Sequence, residues 1–264
     1  MKNKQTSVEQ RRSDILSLVL SKGCISVDDI AKQYGISAMT VRRDLQSLVS
    51  ENLLKRTHGG VVAPNLVEEN SDTTPFFSDE ALKARGVISR FAASLIDDGD
   101  RIFINGSRTA LDMLKYAGEK NVSVFTNNGW AINESYPKNV KICVSGGEIR
   151  NRIMTGEMVV KNLLDLRADK TFLGCAAFFE NGEFLYNIPT EIGINEAMIS
   201  RTKGNLYILA DHTKFHSRGV AESSYGGCIY DCPYTLITDV AEDSDIAKKL
   251  RAHGINVMFA KEET

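Results

Sequence analysis

The first fifty residues alternate apolar and polar positions at the spacing of amphipathic helices. Ile15, Leu18 and Val19 share one face of a helix that we predict over residues 8–21, and Gly23 lies just beyond its end. One face of this helix is therefore expected to pack against the segments that follow.

Two further helices follow, and their connection is very short. Ser26 is a suitable N-cap for the first, and Asp28 and Asp29 occupy its first turn, where the helix dipole favours carboxylates. Gly35 ends this helix, and Ser37 can cap the next one two residues later. Two short helices with such a connection are typical of a helix-turn-helix. The inward positions are Val27, Ile30, Ala31 and Tyr34 on one helix and Ile36, Val41, Leu45 and Leu48 on the next.

The apolar stripe of the third helix leaves a polar and basic surface uncovered. We predict that this surface faces DNA, because the first residues of a recognition helix reach base edges while nearby cations and hydroxyls bind phosphates. Two alternatives stay open: a pair of arginines is often only a solvated face, and Asp44 can hold Arg43 in a local ion pair. The DNA-facing candidates are Ser37, Ala38, Met39, Thr40, Arg42 and Arg43.

A basic hairpin is predicted after this helix. The segment LLKRTHGGVV, residues 53–62, indicates two short strands, and Lys55, Arg56 and His58 lie between its apolar ends, as in the wing of a winged helix. Residues 1–62 hold ten Lys and Arg and six Asp and Glu, a net charge of +4. The remainder holds 22 basic and 28 acidic residues, since the totals are 32 and 34, and its net charge is −6. A basic head on an acidic body indicates a polyanion partner for the head alone.

Further along, helical patterns alternate with short β-branched runs. This alternation predicts an α/β domain with a mostly parallel sheet, in which ligands bind at the carboxyl ends of the strands. We predict a winged helix-turn-helix domain over residues 1–62, a polar linker over 63–79 and the α/β domain over 80–264. The strand-like runs are 101–106, 122–128, 140–147, 170–178, 205–215 and 234–239.

Composition narrows the class of protein. The chain has 264 residues, of which 42% are hydrophobic, enough for two cores, and no run approaches the about 18 uncharged apolar residues that span a bilayer. We therefore expect a cytoplasmic protein without a membrane partner. The five cysteines include no C-x-x-C pair, and His212 and His216 lack a neighbouring ligand set, so neither a disulfide framework nor a metal site is expected.

Three predicted strand ends carry groups that a ligand needs. Residues 105–109, Asn-Gly-Ser-Arg-Thr, form a loop that opens a helix and offers N–H groups and hydroxyls to an anion. The side chains of Thr126, Asn127 and Asn128 can donate and accept hydrogen bonds, as sugar hydroxyls require, and Lys214 ends a further strand with an ammonium group. Each signal alone is more often a cap, a turn or a solvated lysine. The chain has no Walker loop and no G-x-G-x-x-G, so neither a nucleotide nor another cofactor is expected.

The runs RRSDIL, GCISVDDIAKQYGISAMTVRRDLQSL and LLKRTHGGV resemble the DeoR family of bacterial transcription regulators. The resemblance continues over the rest of the chain in NGSRT, TNN, SGGEIR, TGEMV, DKTFLG and ADHTKF. It implies a winged helix that binds operator DNA, usually as a repressor. It also implies a sensor domain similar to ribose-5-phosphate isomerase that binds a phosphorylated sugar.

The resemblance also implies roles for residues of the sensor domain. The phosphate would lie on Asn105, Gly106, Ser107, Arg108 and Thr109, the sugar would meet Asn127 and Asn128, and the pocket would include Thr126, Gly146, Gly147, Glu191 and Lys214.

This chain departs from the family pattern in the predicted pocket. Asn105 replaces a usual carboxylate and Arg108 a usual threonine, whereas Asn195 stands where a lysine is common. We therefore predict either an effector more acidic than a plain sugar phosphate, such as a phosphorylated sugar acid, or an Arg108 that points outward.

Two other functions are weighed against a sensor. An aldose-ketose isomerase needs a carboxylate base, whereas the central strand ends carry asparagines and Glu180 and Glu183 flank a predicted hairpin turn at Asn181 and Gly182, so we expect no enzyme. A DNA-binding scaffold with an inactive sensor stays open. Because one winged helix covers few base pairs, we expect a dimer or tetramer on repeated half-sites, with the effector shifting the population competent for DNA.

Overall fold

The computed structural model describes residues 8, 11–19, 24–50, 53–56, 60–62, 79–150, 152–186, 188–215, 225–228 and 232–261. The chain divides into two compact units, Met1–Leu82 and Lys83–Thr264. Each unit has its own apolar core.

The amino-terminal unit packs three helices on a small sheet. Its fully buried side chains include Ile15, Ile30, Val41 and Leu45, one from the first helix, one from the second and two from the third. The strands pair antiparallel in the order β1-β3-β2. The elements are α1 (residues 11–19), β1 (Cys24–Ser26), α2 (Val27–Tyr34), α3 (Ala38–Ser50), β2 (Lys55–Arg56) and β3 (Gly60–Val62).

The predicted ends of α2 and the predicted start of α3 are confirmed by their caps. Ser26 Oγ accepts a hydrogen bond from the Asp29 N–H at 3.0 Å, and Ser37 Oγ accepts one from the Thr40 N–H at 3.2 Å. Gly35 ends α2 with φ 61°, a left-handed conformation that glycine adopts without strain. The predicted wing strands are present as β2 and β3, whereas β1 was not predicted.

The carboxy-terminal unit is an α/β domain. Its helices are α4 (Asp79–Ser94), α5 (Arg108–Asp112), α6 (Glu157–Leu164), α7 (Thr190–Ser200) and α8 (Asp245–Ala252), and short 3-10 turns follow at Met113–Tyr116, Gly129–Ile132 and His212–Lys214. Its strands are β4 (Arg101–Ile104), β5 (Val122–Thr126), β6 (Val140–Val144), β7 (Glu148–Arg150), β8 (Ile153–Thr155), β9 (Ala168–Gly174), β10 (Ala177–Phe178), β11 (Phe184–Tyr186), β12 (Thr202–Leu209), β13 (Tyr225–Cys228), β14 (Thr235–Thr238) and β15 (Asn256–Phe259).

Seven of these strands form one parallel sheet in the order β15-β14-β12-β9-β4-β5-β6. The expected α/β fold with a mostly parallel sheet is thereby confirmed, and only β15 of the seven strands was not predicted. Phe103, Phe172, Leu173 and Ile208 on the central strands are fully buried. Because the strands are parallel, the loops after β4, β5, β9 and β12 lie at one edge of the sheet.

Smaller elements cover that edge. Strands β7 and β8 form an antiparallel hairpin, and β10, β11 and β13 form a separate antiparallel sheet. Gly182, at φ 85°, lies in the turn between β10 and β11, where the hairpin was predicted. Among the helices that the structure describes, none has the length and apolar character to span a bilayer.

Candidate functional site

The exposed face of α3 carries the first group of candidate residues. Arg42 and Arg43 are exposed, and within the described ranges neither guanidinium group has an ion-pair or hydrogen-bond partner. Met39, near the start of α3, is 68% exposed, which is unusual for a large apolar side chain in a structured helix. Ala38 and Thr40 are half-buried, and the Ser37 hydroxyl lies 2.9 Å from that of Thr40. This face therefore offers two cations and an apolar tip to a partner.

Asp44 does not pair with Arg43. Its buried carboxylate accepts hydrogen bonds from Arg11 Nε at 2.7 Å and Arg12 Nε at 3.1 Å, both on α1. The hydrogen bond to Asp44 raises the pKa of Arg11. The alternative of a local Asp44–Arg43 ion pair is therefore wrong, because the carboxylate faces the interior and binds α1. Both arginines of α3 stay available.

The two strands of the wing lie where the sequence predicts them. Lys55 and Arg56 form β2 and pair with Val62 and Val61 of β3. His58 lies outside the described residues. The predicted contacts of Lys55, Arg56 and His58 with DNA stay predictions.

At the carboxyl edge of the parallel sheet, Asn105 joins β4 to β9. Its Oδ1 accepts hydrogen bonds from the N–H groups of Gly174 at 3.0 Å and Ser107 at 3.2 Å. Its Nδ2 donates to the Gly174 carbonyl at 3.0 Å. An ionised carboxylate can accept but not donate, so asparagine is the residue that satisfies both backbone groups of Gly174. The change from carboxylate to amide therefore has a structural role here.

The loop at residues 105–109 is the predicted phosphate site, and we call it the cradle. Ser107 caps α5, since its Oγ accepts a hydrogen bond from the Ala110 N–H at 3.2 Å. The N–H groups of Arg108 and Thr109 lie in the same first turn and have no intrahelical acceptor. Gly174 lies against Ser107 so closely that a Cβ at this position would overlap the Ser107 hydroxyl.

The end of β5 lies beside this loop. Asn128 Nδ2 donates to the Ser107 carbonyl at 3.1 Å, and Asn128 Oδ1 accepts from the Trp130 N–H at 3.1 Å. Thr126 is fully buried, and its hydroxyl accepts from the Asn128 N–H at 3.0 Å. Thr126 and Asn128 therefore hold two loops together, and their contact with an effector stays a prediction.

Asn127 has a different environment. Its Nδ2 donates to the Met154 carbonyl of β8 at 3.2 Å, while its Oδ1 is buried without a hydrogen-bond partner in the described structure. The Asn127 carbonyl also accepts from the Met154 N–H at 2.8 Å. This amide fixes the β7–β8 hairpin and keeps one acceptor unused.

Glu191 approaches the cradle from α7. A Cβ on Gly106 would lie 3.2 Å from Glu191 Oε1 and 2.7 Å from Ile153 Cδ1. Gly147, at φ 104°, packs equally closely, since a Cβ there would lie 2.7 Å from the Thr155 carbonyl. The structure thus brings Gly106 and Glu191 together, whereas Gly146 and Gly147 join the β7–β8 hairpin to β6.

Arg108 lies on the ring of Trp130. Its guanidinium carbon is 4.6 Å from the ring centroid, and that of Arg152 is 4.1 Å from it. Arg108 Nη2 pairs with Glu134 Oε1 at 3.0 Å and lies 3.7 Å from Asp112 Oδ1. The same two carboxylates also bind Lys115 Nζ, which lies 2.8 Å from Asp112 Oδ1 and 3.0 Å from Glu134 Oε2, so two cations share them. Its Nη1 is buried and has no hydrogen-bond partner among the residues described.

This cluster was not predicted from the sequence. Trp130 and Glu134 follow β5, and only the position of the chain's single tryptophan, two residues after the TNN run, could have drawn attention to them. The alternative in which Arg108 points outward is wrong, because the Arg108 side chain is only 24% exposed.

Lys214 is the buried cation of this edge. Only 7% of the residue is exposed, and burial lowers the pKa of Lys214 to about 8. Asp211 and Cys175 are its electrostatic neighbours, and burial raises the pKa of the Cys175 thiol to about 12. Since Cys175 directly follows Gly174, Lys214 lies near the strand end that contacts Asn105 and Ser107.

No cluster of metal-ligating side chains occurs in the described part of the chain. His212 Nδ1 instead lies 2.6 Å from Asp239 Oδ2, and the same aspartate accepts a hydrogen bond from the His212 N–H at 2.7 Å. His216 lies outside the described residues.

Two family models match most of the chain. The description of one is "DeoR-like helix-turn-helix domain", over residues 11–66, and that of the other is "DeoR C terminal sensor domain", over residues 80–239.

Characterised relatives match over much of their length. The glycerol-3-phosphate regulon repressor of Escherichia coli (strain K12) is 29% identical over 213 residues, 78% of this chain and 82% of the relative. The HTH-type transcriptional repressor GlcR of Bacillus subtilis (strain 168) is 27% identical over 261 residues, 97% of each chain.

Two solved structures are similar to this chain over about half of each length. A D-ribose-5-phosphate isomerase in complex with phospho-erythronic acid matches with a TM-score of 0.37 and 13% identity, over 51% of this chain and 54% of that one. The Pyrococcus horikoshii OT3 translation initiation factor eIF-2B matches with a TM-score of 0.41 and 19% identity, over 53% and 51%.

Proposed function

Because the chain belongs to the DeoR family of transcriptional regulators, we propose that it represses a carbohydrate-catabolism operon under the control of a phosphorylated sugar. The chain is a DNA-binding regulator and not an enzyme. The relatives that match most of its length are named as repressors. The effector, the operon and the oligomeric state are the parts that we propose.

The exposed arginine pair of α3 supports the proposed mode of DNA binding. The guanidinium groups of Arg42 and Arg43 have no protein partner in the described ranges. The neighbouring carboxylate, Asp44, pairs with Arg11 and Arg12 of α1 instead. Exposed cations on the second helix of a helix-turn-helix neutralise phosphates, while Met39 reaches toward base edges. We propose operator DNA as the ligand of this face.

The cradle at residues 105–109 is the observation that carries the effector proposal. A capped helix start, unused N–H groups and a buried ammonium at the neighbouring strand end together suit a phosphate. The name of the Escherichia coli relative includes glycerol-3-phosphate, which also supports a phosphorylated effector.

The surroundings of Arg108 favour a plain sugar phosphate over a sugar acid. Glu134 and Asp112 bind both Arg108 and Lys115, so these two cations already have carboxylate partners, and Glu191 adds a carboxylate beside Gly106. An additional carboxylate on the effector would meet these anions. We therefore propose a neutral sugar carrying one phosphate.

Control of DNA binding follows from linkage. An effector that binds one arrangement of the protein more tightly shifts the population by that difference in affinity. We propose that the regulator acts as a homo-oligomer on repeated half-sites, since two-fold pairing multiplies a weak single contact.

The test is a melting-temperature screen of the full chain. The compounds are inorganic phosphate, glycerol 3-phosphate, fructose 1-phosphate, fructose 6-phosphate, glucose 6-phosphate, ribose 5-phosphate and 6-phosphogluconate. We expect a compound-specific rise with one of the neutral sugar phosphates, and that compound should change the affinity for DNA upstream of the controlled operon. A rise with 6-phosphogluconate alone, lost in Arg108→Thr, would replace the neutral sugar with a sugar acid. No rise with any compound would favour a scaffold without a functional sensor.

A further inference from the structure

The exposed apolar side chains of the carboxy-terminal unit are concentrated in one part of the fold. Among the described residues of this unit, six large apolar side chains are exposed, and five of them lie within residues 132–164. The elements that carry them are neighbours, since the 3-10 turn Gly129–Ile132 contacts β6 and β8, and β8 contacts β7 and α6. Exposed apolar groups on adjoining elements are typical of a surface that binds a partner. The five are Ile132, Val144, Ile149, Met158 and Leu164.

Strand β7 lies at this surface, and its outer backbone edge is open. Met154 of β8 turns both backbone groups away from β7, since its N–H donates to the Asn127 carbonyl at 2.8 Å and its carbonyl accepts from Asn127 Nδ2 at 3.2 Å. Ile149 lies opposite Met154 and is therefore in a non-hydrogen-bonded position of the hairpin. The N–H and C=O groups of Ile149 thus point away from β8, toward an edge that no described strand occupies.

The side chains of β7 are also open to solvent. Ile149 is 61% exposed, and the side chains of Glu148 and Arg150 on either side of it are 62% and 63% exposed. Glu148 Oε1 lies 3.0 Å from Arg150 Nε, but an ion pair with this exposure contributes little to the stability of the fold. The strand therefore presents an isoleucine, two opposite charges and two backbone hydrogen-bonding groups to a partner.

The order Glu-Ile-Arg is complementary to itself in one arrangement. When two copies of β7 pair antiparallel about a two-fold axis at Ile149, Glu148 of each copy lies opposite Arg150 of the other. The two Ile149 side chains meet at the axis, and their outward N–H and C=O groups exchange two hydrogen bonds. Parallel pairing in the same register would instead place like charges opposite each other.

We propose that β7 pairs with β7 of a second copy of this chain and joins the two β7–β8 hairpins into one four-stranded antiparallel sheet. This inference rests on the homo-oligomer proposed above and names the surface through which it forms. A stable interface buries more than about 1,000 Å², which requires the surrounding apolar side chains as well as the strand. Met158 is one of these, because Asn162, one turn later on α6, donates to the Ser145 carbonyl at 2.9 Å, just before β7.

The experiment reverses the two charges in separate variants of the full chain. Glu148→Arg places arginine opposite arginine, and Arg150→Glu places carboxylate opposite carboxylate, so each variant alone should dissociate at an about tenfold higher protein concentration than the wild type. Sedimentation velocity at low ionic strength measures this. An equimolar mixture of the two variants should regain the association of the wild type, because every arginine then lies opposite a glutamate. Contacts within one chain cannot produce this recovery.

A cysteine at position 149 tests the register. The Cα atoms of a hydrogen-bonded antiparallel pair are about 5.5 Å apart, so Ile149→Cys should give a covalent dimer with a short bismaleimide reagent. The substitution is made together with Cys143→Ser, because Cys143 is exposed. The control in the same background is Asp245→Cys on α8, whose side chain is 92% exposed and which should remain a single chain on a denaturing gel. Unchanged far-ultraviolet circular dichroism shows that each variant is folded.

The outcomes separate the interface from the oligomer. Unchanged association of both charge variants, or dissociation without recovery in the mixture, would overturn the pairing of β7 and leave the homo-oligomer in place. A wild-type chain that stays monomeric at every concentration and on DNA with repeated half-sites would overturn the homo-oligomer and the interface together.

Discussion

Asn105 uses its one side-chain amide to bind both backbone groups of Gly174, 69 residues later in the chain. This pair joins the carboxyl ends of β4 and β9 and also orients the Ser107 N–H. The cradle is therefore part of the sheet rather than a loose loop, and its shape depends on the absence of a side chain at Gly174.

Gly174→Ala tests this dependence. The new Cβ would overlap the side chain of Ser107, which caps α5, so we expect a loss of about 1–3 kcal/mol of unfolding free energy from overpacking. The control is Gly86→Ala on α4, where a Cβ meets no atom within 4 Å and alanine favours the helix by about 0.5–1 kcal/mol. Urea denaturation checks both variants, and equal stability of the two would contradict the close contact.

Asp44→Asn tests how α3 is oriented. The amide cannot form the charge-assisted bonds to Arg11 and Arg12, and because these arginines are about a quarter exposed, the loss should be about 1–2 kcal/mol. The melting temperature of the amino-terminal unit and its affinity for operator DNA should both fall. Asp28→Asn, on the exposed first turn of α2, should change either by little.

Replacing Arg42 and Arg43 together with alanine tests DNA contact. Each lost phosphate contact reduces the slope of log affinity against log salt by about 1, so the double variant should bind more weakly and show a slope smaller by about 1–2. Filter binding at several salt concentrations measures this. Lys248→Ala on α8 is the matched loss of an exposed cation, and if it had the same effect the arginines would contribute only net charge.

The pH dependence of stability tests the burial of Lys214. Its pKa is lowered from 10.5 to about 8, so between these values the unfolded state binds more protons and folding is favoured as pH rises. Relative to Lys214→Met, the wild type should gain up to about 3 kcal/mol of unfolding free energy between pH 8 and 10.5. Parallel stability curves of the two proteins over this range would show that Lys214 is not buried as an ammonium.

Local signals made the amino-terminal unit predictable. Ser26, Gly35 and Ser37 each act within three or four residues of the chain, so their effect on the backbone can be identified in the sequence. The main strands of the large sheet were predictable for a similar reason, because a buried strand is a short apolar run. Strand β15 was missed although it contains a similar apolar run, Val257 to Phe259.

Contacts between distant residues set the limit of prediction in the site. In the sequence, asparagine in place of the family's carboxylate at position 105 indicated only the loss of a negative charge. The structure shows that the Asn105 Nδ2 group donates a hydrogen bond to the Gly174 carbonyl, which a carboxylate cannot do. The charge of Arg108 was identified, but its neutralisation depends on Glu134, 26 residues away and without a recognisable motif. The side-chain atoms of Asn127 and Asn195 that lack a hydrogen-bond partner within the described ranges belong to the same class, since an unpaired buried group is visible only when every neighbour is placed.

The two guanidinium groups that lie on the ring of Trp130 give this protein an intrinsic fluorescent reporter. Trp130 is the only tryptophan of the chain, it is 6% exposed, and Arg108 stacks on its ring from the cradle loop. Indole emission responds to nearby charge, so an anion that moves Arg108 changes the emission of a single known residue. Anion binding at the cradle should therefore be measurable in unlabelled protein, at equilibrium and, after the dead time of a stopped-flow mixer, as a time course.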